Sequence, residues 1–263
     1  MLDISHVHKS FNIGTPVQKD ALIDLNLHLN EGDFVTVIGG NGAGKSTMLN
    51  AVAGVFGVEQ GHVKIAGHDV TKDPEYKRAK YIGRVFQDPL RGTAGDMWIE
   101  ENLAMALRRG ERRTLKWGIT NKEREQYVEL LKSLDLGLEK RLSSKVGLLS
   151  GGQRQALTLL MATIKKPELL LLDEHTAALD PKTASKVLEI TNKVVTENHL
   201  TTLMITHNMK DAIKYGNRLI MMNNGNIIYD VSGEEKQNLK VSDLLVKFEQ
   251  EGGVANDRMV LAH

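Results

Sequence analysis

The run at residues 33–38, DFVTVI, is short, β-branched and apolar without alternation, the pattern of a strand buried on both faces. Glycines follow at once, and residues 46–55 then read as a helix. A strand, a glycine-rich loop and a helix in that order form the opening unit of a parallel α/β sheet. Upstream, residues 2–11 and 22–30 read as paired strands, with 63–66 joining them. From about Gln87 to Lys166 the strand signals fade and amphipathic patterns of good helix formers take over, as at 122–134, which predicts an inserted helical lobe. Strands return at 169–172 (LLLL), after Pro167, and at 200–205 (LTTLMI), after a helix over 181–198. Residues 218–222 and 227–230, joined across Asn223, Asn224 and Gly225, predict a hairpin. Beyond Val231 the chain turns polar, with one helix at 242–250.

Length changes this picture little: 263 residues suit one large α/β domain with an inserted lobe and a substantial core. Charge and cysteine content exclude more. With 34 Lys and Arg against 33 Asp and Glu, no bulk positive field marks nucleic acid as a partner, and a polyanion must be held by a local site. The absence of cysteine removes disulfides, thiol catalysis and cysteine zinc sites. The start, MLDISHVHKSF, lacks a basic segment before an apolar one, and no 18 apolar residues run together, so the chain is expected neither to be exported nor to span a membrane by itself.

The candidate chemistry sits where the first strand ends. Gly39-Gly40-Asn41-Gly42-Ala43-Gly44-Lys45-Ser46-Thr47 fits the phosphate-loop pattern G-x-x-x-x-G-K-[ST] in its required strand–loop–helix context. Glycines let backbone N–H groups close around phosphates, and the helix N-terminus adds positive potential. Lys45 is expected to reach the β- and γ-phosphates of ATP, Ser46 to ligate Mg2+, and Thr47 to meet the α-phosphate. Asp173 and Glu174 follow the four-leucine strand, at the carboxyl end where open parallel sheets bind ligands. Asp173 is the expected Mg2+ partner, and Glu174 is placed to polarise a water attacking the γ-phosphate.

Leu149-Ser150-Gly151-Gly152-Gln153 lies between the phosphate loop and Asp173. With these five residues the chain resembles the ATPase subunit of an ABC transporter, over roughly residues 1–235. The resemblance implies an α/β fold: a phosphate-loop NTPase core with an antiparallel β subdomain and a helical subdomain over about 87–166, followed by a C-terminal extension over 236–263. It implies head-to-tail pairing around two ATP, as a homodimer or with a second cassette. One subunit would give Lys45, Ser46, Asp173 and Glu174. The other would give Ser150, Gly151 and Gly152 at the start of a helix near Gln153.

Further assignments follow from the same resemblance. Gln87, in Val85-Phe86-Gln87-Asp88-Pro89, matches the loop glutamine that touches Mg2+ or the attacking water. Asp180, in Ala178-Leu179-Asp180, matches the loop that reaches across the dimer, and His207 the switch histidine that contacts the γ-phosphate. Phe11 takes the place of the aromatic that stacks on adenine. His175 stands where many members carry proline, and is expected to have no catalytic effect.

A cassette without a membrane span needs permease subunits, and the resemblance puts their docking region at 84–110. There Met97, Trp98, Ile99, Leu103, Met105 and Leu107 could seat a short permease helix or form the lobe's core. The basic cluster Arg108, Arg109, Arg112, Arg113 and Lys116, with Trp117, could face lipid headgroups or a partner's acidic loop, and is expected to be a solvated face. The segments 86–104 and 172–181 resemble bacterial uptake cassettes related to branched-chain amino-acid importers, nearest to tryptophan or tyrosine type systems. Import of an amino acid or similar solute, with a separate substrate-binding protein and a place at the cytoplasmic face of the membrane, is the implied function. An exporter or lipoprotein-extruding cassette, a soluble non-transport ATPase, and a module that binds ATP without turnover are the alternatives.

Overall fold

The computed structural model describes residues 1–111 and 118–250. β1 (Leu2–Phe11) is flanked by β2 (Lys19–Leu29) and β4 (Gln60–Ile65), both antiparallel to it, and β5 (His68–Asp69) closes this four-stranded sheet. The third strand joins β1 rather than β2, so β1 is interior and its Leu2, Ile4 and Val7 are buried.

A second sheet of six strands runs β10 (Asn226–Ser232), β9 (Arg218–Asn223), β3 (Phe34–Gly39), β8 (Thr201–Ile205), β7 (Leu169–Asp173), β6 (Ile82–Val85). All neighbours are parallel except the β9–β10 hairpin at the edge. Alternation across the pleat explains the unbroken apolar runs. Leu169 and Leu171 of β7, with Val35 and Val37 of β3, face the core shared with the antiparallel sheet. Leu170 and Leu172 face the core under the helical lobe. Each strand therefore supplies two cores.

Helix α1 (Lys45–Ala53) ends two residues before the sequence pattern does, because Gly54 adopts a left-handed φ of 79° and its N–H caps Ala51 O. α2 (Glu75–Arg78) follows β5, and the lobe contains α3 (Ile99–Leu107) and α4 (Asn121–Lys132). α5 (Gly151–Thr163) returns the chain to the large sheet, packing beside β6 so closely that a Cβ on Gly83 would lie 2.5 Å from Ala162 O. α6 (Pro181–Glu197) and α7 (Met209–Lys214) connect β7 to β8 and β8 to β9.

The described part of the polar tail, through Gln250, packs on the core. α8 (Gly233–Asn238) is anchored by buried Lys236, whose Nζ donates to Tyr215 O and, at 2.8 Å, to Gly216 O. Burial pulls this ammonium down to about 8. α9 (Val241–Gln250) buries Leu244 and Phe248 against Met209 and Leu219.

Candidate nucleotide site

β3 delivers the glycine loop at the carboxyl edge of the parallel sheet. Gly39 sits at φ 153°, and a Cβ there would fall 2.3 Å from Met222 O of the neighbouring β9. Gly44, at φ 101°, caps α1, and a Cβ on it would meet Ala21 O at 2.7 Å. These positions need glycine both for the backbone angle and for room. The loop therefore passes between the two sheets, against Met222 O of β9 on one side and Ala21 O of β2 on the other.

Lys45 opens α1, is buried, and donates from Nζ to Gly39 O at 2.7 Å and Gly40 O at 3.0 Å. Its ammonium folds back over the loop it belongs to. Ser46 is exposed and Thr47 half-buried at the same helix start. Phe11, Lys19, Ala21, the residues 41–47, Glu174 and His207 enclose a cleft of about 330 Å³. The Phe11 ring meets Phe56 edge-on at 5.4 Å between centroids and has Lys9 Nζ 5.3 Å from its own centroid.

Glu174 is left-handed at φ 47°, with its N–H donating to Ile205 O at 3.1 Å. A non-glycine residue in that region is uncommon, and the β7–β8 pairing holds it. The carboxylate is turned to His207, with Nε2 2.5 Å from Oε2. Asp173 beside it has its carboxyl raised by burial and by the Glu174 charge, against the opposing pull of Arg84, Lys45 and His207. Its carboxylate and the Ser46 hydroxyl are hard oxygen donors at the end of β7 and the start of α1, which is the donor chemistry Mg2+ takes.

Sequence reasoning passed over Arg84. Its Nη2 lies 3.9 Å from Asp173 Oδ2 and 2.5 Å from Asn50 Oδ1, and its guanidinium stacks over the Phe86 ring at 4.5 Å. The signal was weak because β6 is four residues, IGRV, with a glycine and an arginine in place of apolar side chains.

Not every predicted residue lines this cleft. Gln87 follows β6 as an exposed side chain without a hydrogen bond among the described residues. Ser150, Gly151, Gly152 and Gln153 form the start of α5 in a capping box: Gln153 N–H donates to Ser150 Oγ at 3.3 Å, and Ser150 N–H to Gln153 Oε1 at 3.2 Å. Asp180 caps α6, accepting from Thr183 N–H at 3.1 Å, and hydrogen bonding from the Thr183 side chain and then its backbone lowers the carboxyl. The two caps meet within the chain. A Cβ on Gly151 would lie 3.1 Å from Leu179 Cδ2, and one on Gly152 2.2 Å from Thr183 Cγ2.

His175 is fully buried, its Nε2 3.0 Å from Thr191 Oγ1, and burial pulls the imidazole down to about 4. In the 84–110 segment, Ile99 and Leu103 are core, Leu107 packs on it, and Trp98 and Met105 remain exposed. Arg108 and Arg109 are not simply solvated. Arg108 pairs with Glu123 at 2.7 Å, and Arg109 donates to Ala162 O and Lys165 O, where a cation suits the carbonyl end of α5. Arg112, Arg113, Lys116 and Trp117 lie outside the described residues.

The family model described as ABC transporter matches residues 22–177. The tyrosine transport ATP-binding protein of Clostridioides difficile is 45% identical over 249 residues, covering 95% of this chain and 99% of that protein. The methionine import ATP-binding protein MetN 2 of Enterococcus faecalis is 33% identical over 234 residues, 87% of this chain and 64% of its own. Among solved structures, a dimeric ATP-binding cassette in a post-hydrolysis state, bound to ADP and Pi, superposes with a TM-score of 0.75 at 30% identity, over 88% of this chain and 98% of that one.

Proposed function

We propose, from the premise that this chain belongs to the ABC transporter ATP-binding family, that it hydrolyses ATP between two paired cassettes to power a membrane permease importing an amino acid or similar small solute. The observation that carries the reading is the convergence of Lys45, the open start of α1, Glu174 and His207 on one cleft. The ATPase character belongs to the family; the roles below are our assignment.

ATP enters with its adenine on Phe11 and its phosphates against the N–H groups of residues 39–44, the N-terminus of α1 and the Lys45 ammonium, which exchanges Gly39 O and Gly40 O for phosphate oxygen. Thr47 meets the α-phosphate. Ser46, Asp173 and Gln87 would hold Mg2+, which would neutralise phosphate charge. Glu174 accepts a proton from a water whose oxygen attacks the γ-phosphorus as the bond to the β–γ bridging oxygen breaks, giving ADP and phosphate. His207 holds the Glu174 carboxylate in place and contacts the γ-phosphate. Ser150, Gly151, Gly152 and Gln153 of the opposite cassette approach the same phosphate from the far side, with Asp180 at the junction.

The chain is read as an ATPase domain over 1–235, with its helical subdomain at about 87–166, and an extension over 236–263. No helix among the described residues is long and apolar enough to cross a membrane, and we assign the crossing to separate permease subunits. They would dock in the groove between the segment after β6 and the lobe, lined by Tyr76, Arg91, Asn102, Met105 and Arg109, at the cytoplasmic face. A substrate-binding protein would complete the system.

An amino-acid solute is supported by the tyrosine transport relative, whose match covers nearly the full length of both chains, and import by the methionine import relative. The test is purification in mild detergent from native membranes, identification of co-purifying chains, and vesicle uptake of labelled aromatic and aliphatic amino acids. ATP-dependent uptake supports the proposal; efflux or lipoprotein release reassigns the chain to export, and recovery with soluble chains alone removes the transport role.

A further inference from the structure

We propose that Lys19 is a nucleotide-binding residue of this cassette, a second ammonium at the phosphate loop that strengthens binding of the polyphosphate tail. The inference rests on the ATP reading of the cleft and adds a residue to it.

Lys19 opens β2 directly across from Phe11, the last residue of β1. The pairing sets an ammonium and an aromatic ring side by side at one mouth, and both line the cleft. From there β2 runs under the loop in step with it. A Cβ on Gly42 would lie 2.9 Å from Lys19 Nζ, and one on Gly44 2.7 Å from Ala21 O. Alternate residues of β2 thus meet alternate glycines of the loop, which fixes Lys19 over the loop's crest. Lys19 is exposed, and its ammonium makes no hydrogen bond or ion pair among the described residues.

Charge gives this placement its use. Among the lining residues Glu174 carries a negative charge and Lys45, buried and directed to Gly39 O and Gly40 O, a positive one. Without Lys19 the lining has no surplus positive charge for a ligand that is itself strongly anionic. Lys19 supplies that surplus from an exposed position, where it acts on the entering nucleotide.

The test is equilibrium titration of the full chain with a fluorescent ATP analogue, and by competition with ADP and AMP, at low and high ionic strength. Lys19→Met should weaken ATP binding about threefold to fivefold at low salt, the range of one exposed charge contact. Lys19→Glu should weaken it further, about tenfold to twentyfold, and Lys19→Arg should restore it. The loss should shrink from ATP to AMP and fade at high salt, because exposed charges are screened. A merely structural lysine would weaken all three nucleotides alike and independently of salt.

Lys45→Ala separates the two levels of the argument. If it weakens binding about tenfold or more while Lys19→Met and Lys19→Glu bind as wild type, the Lys19 proposal is overturned and the ATP site stands. If it binds normally, the cleft is not the phosphate site and both fall.

Discussion

His207 Nε2 lies 2.5 Å from Glu174 Oε2, joining the end of β8 to the end of β7 across the mouth of the cleft. The contact matters because Glu174 is also fixed from behind, through its N–H on Ile205 O and a left-handed backbone. A residue fixed at its backbone and at one carboxylate oxygen can present the other oxygen to one water without a search through rotamers.

Glu174→Gln keeps the side chain's size and its bond to His207 but removes the base. ATP binding should persist and turnover should fall by about 100-fold to 10,000-fold, the usual contribution of a positioned proton acceptor. Rapid-quench ATPase assays with parallel nucleotide titration read both quantities. Near-normal turnover would remove Glu174 from its role.

Lys45→Ala acts on the earlier step. The substitution deletes a charge-assisted donor to phosphate, which is worth enough to raise the nucleotide dissociation constant about tenfold to hundredfold. It also strands Gly39 O and Gly40 O inside a buried loop, so a melting curve should accompany the titration. Unchanged affinity would place the phosphates elsewhere.

Gly152 approaches α6 so closely that an added methyl would lie 2.2 Å from Thr183 Cγ2. Gly152→Ala must therefore push α5 and α6 apart, at a cost of about 1–3 kcal/mol, typical of overpacking. Thr183→Ser deletes the obstructing methyl, and the double variant should recover part of the loss. Chemical denaturation of the four proteins completes the cycle; additive effects would show that the two residues do not share the space.

The sequence was most readable where one signal had one cause. The runs DFVTVI and LLLL name strands because each serves two cores, and the glycine loop is legible because Gly39 and Gly44 need both room and unusual backbone angles. β6 was not legible: its Gly83 is required by Ala162 O on α5, and its Arg84 by Asn50 and Asp173, partners about 30 to 90 residues away in the chain. Lys19 was hidden for the same reason, since only the register of β1 on β2 brings it beside Phe11. Arg108 and Arg109 misled in the opposite sense, because a basic cluster reads as a solvated face until their bonds to Glu123 and to the end of α5 are seen.

His175 gives the fold a dependence on acid that can be measured apart from activity. The imidazole is fully buried against Thr191 and its pKa is pulled down to about 4 by burial, against 6.5 for an unhindered histidine. Between those values the unfolded chain binds a proton that the folded chain refuses, so stability is lost as pH falls from about 6.5 toward 4. The shift corresponds to about 3 kcal/mol when the window has been crossed. His175→Gln retains a hydrogen-bonding group near Thr191 and removes the titration. Its stability between pH 7 and pH 4 should therefore decline less steeply than that of the wild type in urea denaturation series, even if it is somewhat less stable at pH 7. Parallel declines in the two proteins would show that the acid sensitivity arises elsewhere, with Asp173 and Asp211, whose carboxyls burial raises, contributing in the opposite direction.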